Sequence, residues 1–199
     1  MKVAVLGAPG SFSRRAARRL AGCEATLVGM PTFDDVFAAV SRGTAHRGVV
    51  PLRNTLAGDV AANAARVDDA AWRVTGRLRL AVRQCLIVRP GTRLRDVQRV
   101  ASHPAALLQC TRLIAAVPGC VTLHLADTAT GVRDLMAGAL QADAVIASVE
   151  AARRYGAEIL AAGVQDAARN YTEFAMFARA RGHRRPCGDT GSARVSAPA

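Results

Sequence analysis

The sequence is poor in aromatic residues (4%), holds one lysine (Lys2) among its 27 basic residues, and contains no long hydrophobic run. With so few rings, the core has to be built from Ala, Val and Leu, and little surface exists on which nucleic-acid bases could stack. No stretch approaches the roughly 18 apolar residues of a membrane-spanning helix. Val3-Ala-Val-Leu6 behind Lys2 is too short for the apolar part of a secretory signal. A cytoplasmic location without a membrane partner is therefore expected. The cysteines Cys23, Cys85, Cys110, Cys120 and Cys187 are odd in number and show no Cys-x-x-Cys spacing. Reduced thiols are expected, not a disulfide framework or a zinc site. No His-x-x-x-His pair or carboxylate cluster offers metal ligands, and neither Gly-x-Gly-x-x-Gly nor a Walker loop offers a nucleotide cradle. No metal or organic cofactor is expected.

The formal net charge is +12, almost all of it arginine spread from Arg14, Arg15, Arg18 and Arg19 to Arg181, Arg184 and Arg185. No single basic block carries interleaved aromatics, so nucleic acid is not an expected partner. A field of this sign draws small anions as readily.

What the chain does have is alternation of strand and helix. Lys2–Leu6 reads as a strand, Gly7-Ala-Pro-Gly10 as a turn, and Ser11 or Ser13 as the cap of a helix through Leu20. Such a turn presents free N–H groups to an anion. Ala25–Val28 is a second strand, and Thr32 with Asp35 caps a helix over Phe33–Val40. Gly48–Pro51 reads as a short strand stopped by proline, with Arg53, Asn54 and Thr55 in the loop beyond it. Ligands of open α/β sheets bind past the carboxyl ends of strands. Trp72–Val88 reads as one or two strands and Val97–Ala101 as another. Ser102 is the expected cap of a helix over Ala105–Ala116, with His103 at the switch. Strand Val121–Leu125, a helix capped by Asp127-Thr128, strand Asp143–Ala147, helix Val149–Arg154 and strand Glu158–Leu160 follow. In the extended stretch after Asp166, Asn170 and Thr172 fall on one face, while Tyr171 and Glu173 fall on the other. Residues 181–199 show no periodicity and are expected to be a disordered tail. The repeated units predict an α/β fold with largely parallel sheets.

Along nearly its whole folded length the chain resembles the catalytic domain of prephenate dehydratase. The segments that carry the resemblance are Val5-Leu-Gly-Ala-Pro-Gly-Ser-Phe-Ser13, Gly48-Val-Val-Pro-Leu-Arg-Asn-Thr-Leu-Ala-Gly58, Ser102-His-Pro-Ala-Ala-Leu-Leu-Gln-Cys110, Asp127-Thr-Ala129, Ala144-Val-Ile-Ala-Ser148 and Asn170-Tyr-Thr-Glu-Phe174. Each alone is weak; their order and spacing are specific. The resemblance implies a two-lobed, periplasmic-binding-protein-like (type II) fold with the active site in the inter-lobe cleft. It places the first lobe at residues 1–76 plus 169–180 and the second at 77–168.

It also implies the chemistry: loss of carbon dioxide and water from prephenate to give phenylpyruvate, without a cofactor. By position in the family's motifs, Thr172, Asn54 and Thr55 are the implied catalytic residues. Gly10, Ser11, Phe12, Arg53, Ser102, His103, Asn170, Glu173 and Phe174 are the implied substrate-binding residues. The expected partner is a small anionic substrate, prephenate or its amino analogue arogenate, and the family habit implies a homodimer or larger homo-oligomer. Three motif positions depart from the family: its first-loop proline is Ala8 here, and two charged positions are reversed. Its acid before Asn54 is Arg53 here, and its arginine after Thr172 is Glu173. This reciprocal reversal suggests an ion pair across the cleft rim. It also keeps open a non-aromatising prephenate decarboxylase, some of whose members lack the motif threonine. A third alternative is an inactive binder of small acids. The resemblance covers the catalytic domain, and the regulatory ACT domain of many family members is not expected.

Overall fold

The computed structural model describes residues 1–180, so the expected tail at 181–199, with Cys187, lies outside the described residues. Two sheets organise the chain. The first takes the order β2-β1-β3-β11-β5, from β1 (Lys2–Leu6), β2 (Thr26–Met30), β3 (Arg47–Asn54), β5 (Trp72–Ala81) and β11 (Tyr171–Arg179), with the two-residue β4 (Gly58–Asp59) paired to β3. The second takes the order β10-β6-β9-β7-β8, from β6 (Cys85–Val88), β7 (Arg99–Ser102), β8 (Val121–His124), β9 (Ala144–Ala147) and β10 (Glu158–Ala162). The chain passes between them twice, after β5 and before β11. This is the two-lobed type II architecture of periplasmic binding proteins. The division expected at residue 76 falls inside β5, whose residues pair with β11 from Trp72 to Ala81. The first lobe therefore continues through Ala81.

Alternation along the strands sends side chains into two packed layers. In the first lobe, Val3, Val5, Val49, Leu80, Phe174 and Met176 pack beneath α1 (Phe12–Ala21). Ala4, Val50, Leu52, Ala175 and Phe177 pack on the opposite side with α2 (Phe33–Ser41) and α3 (Ala61–Val67). There Phe37 stacks on Phe177 at 4.5 Å and Trp72 meets Phe177 edge-on at 5.1 Å. Three of the chain's eight aromatic residues thus meet at one point. In the second lobe, α6 (Thr128–Met136) and α7 (Val149–Tyr155) cover one face of the sheet. The short α4 (Pro104–Leu107) and α5 (Thr111–Ala116) cover the other.

Both sheets are mixed and not largely parallel as expected, since β11 runs antiparallel to β3 and β5, and β6 to β9 and β10. Three local expectations are also corrected. Pro51 does not stop β3, which runs on to Asn54. The proline sits at a β-bulge, where a missing N–H is tolerated: Glu173 pairs with Arg53 but Phe174 pairs with Pro51, so Leu52 is the extra residue. The helix expected over 105–116 is two, because the chain turns at Leu108–Cys110 before Asp166 caps α5 from far along the sequence, accepting from the N–H groups of Thr111 (2.9 Å) and Arg112 (3.0 Å). Ser102 does not cap α4. Its hydroxyl, fully buried, donates to the Ile146 carbonyl at 2.6 Å and ties β7 to β9, while His103 Nδ1 accepts from Ala105 N–H at 3.1 Å and is the cap. No helix among the described residues is long and apolar enough to cross a membrane.

Candidate active site

A cavity of about 370 Å³ lies between the lobes. The first lobe contributes Ser11, Phe12, Pro51, Asn54, Thr172 and Phe174 to its wall. The second contributes His103, Gln109, Asp127 and Thr128, and Gln84 of the first crossover lies between. The bulge in β3 decides which side chains enter. From Val49 and Pro51 on the cavity side, strict alternation would aim Arg53 inward and Asn54 outward. The extra residue reverses the phase, so Asn54 turns in beside Thr172 and Arg53 turns out.

Asn54 is the hub. Its Oδ1 accepts from the backbone N–H groups of Leu56 (2.9 Å) and Ala57 (2.8 Å). Since backbone N–H groups can only donate, the oxygen and nitrogen of this amide are assigned without ambiguity. The two Nδ2 protons are then shared among Asn170 Oδ1 (2.8 Å), the Tyr171 carbonyl (3.1 Å) and Thr172 Oγ1 (2.9 Å). Thr172 Oγ1 is therefore an acceptor, and its own proton has no acceptor among the described residues. Gln109 closes a ring around Asn54. It donates from Nε2 to Asn54 Oδ1 (3.2 Å) and accepts at Oε1 from Asn170 Nδ2 (2.7 Å) and Gln84 Nε2 (3.1 Å). All five side chains of this network are buried, and Gln84 Oε1 is left without a partner.

The charged side chains lining the cavity are Asp59 and Asp127, with His103 at the mouth and no arginine or lysine. Burial pushes the His103 pKa down, against the opposing pull of Asp127, which favours the neutral ring with its proton on Nε2. Two helix N-termini supply the positive potential instead. Ser11 caps α1 by accepting from Arg14 N–H (3.3 Å), and Asp127 caps α6 by accepting from Thr130 N–H (2.8 Å). Among the described residues the N–H groups of Phe12 and Ser13 at one wall, and of Thr128 at the other, have no hydrogen-bond acceptor. Asp127 Oδ2 also accepts from Ala8 N–H at 3.1 Å, and Ser148 donates to the Gly10 carbonyl at 2.6 Å. Arg15 and Glu150 form a 2.7 Å ion pair from α1 to α7. Burial alone would raise the Glu150 pKa, but its bonds to Arg15 and to backbone hold it below the usual value.

The structure thus brings Thr172, Asn54, Ser11, Phe12, His103 and Phe174 to one cavity, with Asn170 buried behind Asn54 and Gln109. Gly10 lies behind the first turn against Ala151. Ser102 is inside the second sheet, and Arg53, Thr55 and Glu173 are on the opposite face of the first. These last three line a separate depression with Arg79 and Tyr171. Thr55 Oγ1 there accepts from Tyr171 N–H at 3.0 Å. Arg53 and Glu173 are cross-strand neighbours, but they do not form the expected ion pair. Arg53 meets Asp59 at 3.2 Å and Glu173 meets Arg77 at 2.9 Å. Gln84, Gln109 and Asp127 are members of the site that residue types alone did not single out. Gln109 lay within the Ser102–Cys110 segment as its sole uncharged amide, and that was the available signal.

Two α/β lobes on a double crossover, closed over a cavity of oriented amides and helix N-termini, define a two-lobed cleft protein. The sequence carries the match further: the prephenate dehydratase family model fits residues 3–182, and the chain belongs to that family. Arogenate dehydratase 2 of Petunia hybrida is 36% identical over 180 residues, 90% of this chain and 45% of that protein. The chain therefore spans about half the length of the curated relatives it matches. Among solved structures, GqqA, described as a novel type of quorum-quenching acylase, is 31% identical with a TM-score of 0.77, over 94% of this chain and 67% of the other. Prephenate dehydratase of Arthrobacter aurescens, in complex with L-Phe, shares the fold at a TM-score of 0.82 and 23% identity, over 90% of this chain and 61% of the other.

Proposed function

We propose that this chain is a carbon–oxygen lyase that converts prephenate or arogenate to the aromatic product, a step toward phenylalanine. The observation that supports this reading is the direction of the Thr172 hydroxyl. With its oxygen accepting from Asn54, the hydroxyl can only donate elsewhere, and the cavity is where a leaving group would stand. As the C1–carboxylate bond breaks, its electron pair enters the ring and the C4–oxygen bond breaks. The departing hydroxide takes the Thr172 proton and leaves as water. The resulting alkoxide is held by Asn54 Nδ2 and is reprotonated by water, so one proton is consumed overall. Aromatisation supplies the driving force, and the protein orients the substrate and supplies the proton. The open N–H groups of α1 and α6 would hold the two carboxylates.

Prephenate and arogenate are both partners in this reading. Asp59 is already paired with Arg53 at 3.2 Å, and Asp127 is taken up by the N–H groups of Ala8 and Thr130, so the lining does not select an ammonium over a ketone. The decarboxylase alternative rested on the reversal at Arg53 and Glu173, and both side chains lie on the far face of the sheet. An acylase of the hydroxyl-nucleophile type would need a hydroxyl bonded to a base. Among the described residues no hydroxyl lining this cavity is bonded to a histidine or carboxylate. Assembly as a dimer or larger homo-oligomer in the cytoplasm belongs to the same proposal, and a monomer mass by light scattering would contradict the first part.

The test is Thr172→Val, which keeps the shape and removes the proton. It should lower kcat on prephenate or arogenate by about a hundredfold or more with a smaller change in KM. Products identified by absorbance and mass complete the test. A non-aromatic product or an unchanged kcat overturns the reading.

A further inference from the structure

Gln109 belongs to the turn between α4 and α5 of the second lobe, yet its partners Asn54 and Asn170 belong to the first. It is 5% exposed and closes a ring in which each amide both donates and accepts: Asn54 to Asn170, Asn170 to Gln109, Gln109 to Asn54. Two consequences follow from hydrogen-bond chemistry. Asn54 Oδ1 receives three donors, Leu56 N–H, Ala57 N–H and Gln109 Nε2. Withdrawing electron density from that oxygen makes the Nδ2 protons better donors, because hydrogen bonds in a chain polarise one another. One of those protons goes to Thr172 Oγ1. The same ring fixes Asn170 with its oxygen toward Asn54 and its nitrogen toward the second lobe.

We infer that Gln109 is a positioning residue for the reaction: by closing the amide ring from the second lobe, it strengthens the Asn54 bond to Thr172 and so makes Thr172 a better proton donor. The inference rests on the proposed role of Thr172. It adds that the hydroxyl is fully armed only while the two lobes are apposed, because the third donor to Asn54 comes from across the cleft.

The experiment exploits the difference between an amide and a carboxyl at one site. In Gln109→Glu the shape is kept, and the ionised carboxylate can still accept from Asn170 and Gln84 but has no proton to give Asn54. When protonated it can donate again. Burial raises a carboxyl pKa, so the exchange falls within a workable range. The titratable groups of the cavity wall, Asp59, Asp127 and His103, are the same in both proteins. Expected is a kcat lowered about tenfold or more at neutral pH, recovering toward the parent as pH falls, with KM little changed. The parent should show no such rise relative to the variant. Gln109→Met is measured alongside; it should be slow at every pH, and it serves if the Glu variant does not fold. A Glu variant whose profile parallels the parent, or a folded Met variant with the parent's kcat, overturns the inference. Thr172→Val separates the two layers. If it is slow while Gln109→Glu is ordinary, only the role of Gln109 falls; if Thr172→Val is itself active, the proposed function falls first.

Discussion

Gly10→Ala tests whether the first turn is what docks the lobes. Gly10 has φ +97°, and a Cβ there would lie 2.7 Å from Ala151 Cα and 2.9 Å from Ala151 N. Both contacts are to backbone of α7 in the second lobe, so no side chain can rotate away. Gly22 is the control, with φ +84° and nothing within 4 Å of its Cβ position. Gly22→Ala should cost about 1–2 kcal/mol, the strain of an L-residue in the left-handed region. Gly10→Ala carries that strain plus about 1–3 kcal/mol of overpacking, relieved only by moving α7. At about 2–4 °C per kcal/mol for a domain of this size, the two should differ in Tm by roughly 2–12 °C. The extra loss should also appear in function. Moving α7 stretches the Ser148 bond to the Gly10 carbonyl and the Arg15–Glu150 pair, widening the cavity. Substrate KM should rise in Gly10→Ala and stay at the parent value in Gly22→Ala. Equal Tm losses with equal KM values would refute the docking role.

The depressed pKa of His103 makes stability depend on pH. The unfolded ring takes its proton at about pH 6.5, before the native one does, so native stability is fully present above that pH and declines as pH falls through the native pKa. His103→Asn keeps an acceptor for Ala105 N–H, and its Tm should fall less than the parent's between neutrality and pH 5; parallel curves would contradict the assignment. Replacing Glu173 by Gln removes one partner of an exposed ion pair with Arg77 on the outer face. Stability should change by about 1 kcal/mol or less and kcat by less than about threefold. A large loss of kcat would mean that the outer face reaches the chemistry.

Several features of the site were legible in the residues. Two-residue periodicity placed Asn170 and Thr172 on one face, because side chains alternate along any extended segment. The caps at Ser11, Thr32 and Asp127 were equally local: a side-chain oxygen reaches an N–H three residues on. The two-lobed fold came through the resemblance of ordered segments, not through periodicity. Tertiary structure decided the rest. Ser102 was the expected cap, but the Ile146 carbonyl across the sheet took the serine and left the cap to His103. Charge reversal at Arg53 and Glu173 suggested a pair, but Asp59 and Arg77 lay closer to hand once the strands were in register. Above all, the inward turn of Asn54 depends on one extra residue in β3 opposite β11. A bulge is a mismatch between strands more than 100 residues apart in sequence, for Asn54 faces Thr172 at a separation of 118. Local propensity holds no record of such a mismatch, since it exists only when both strands are laid side by side.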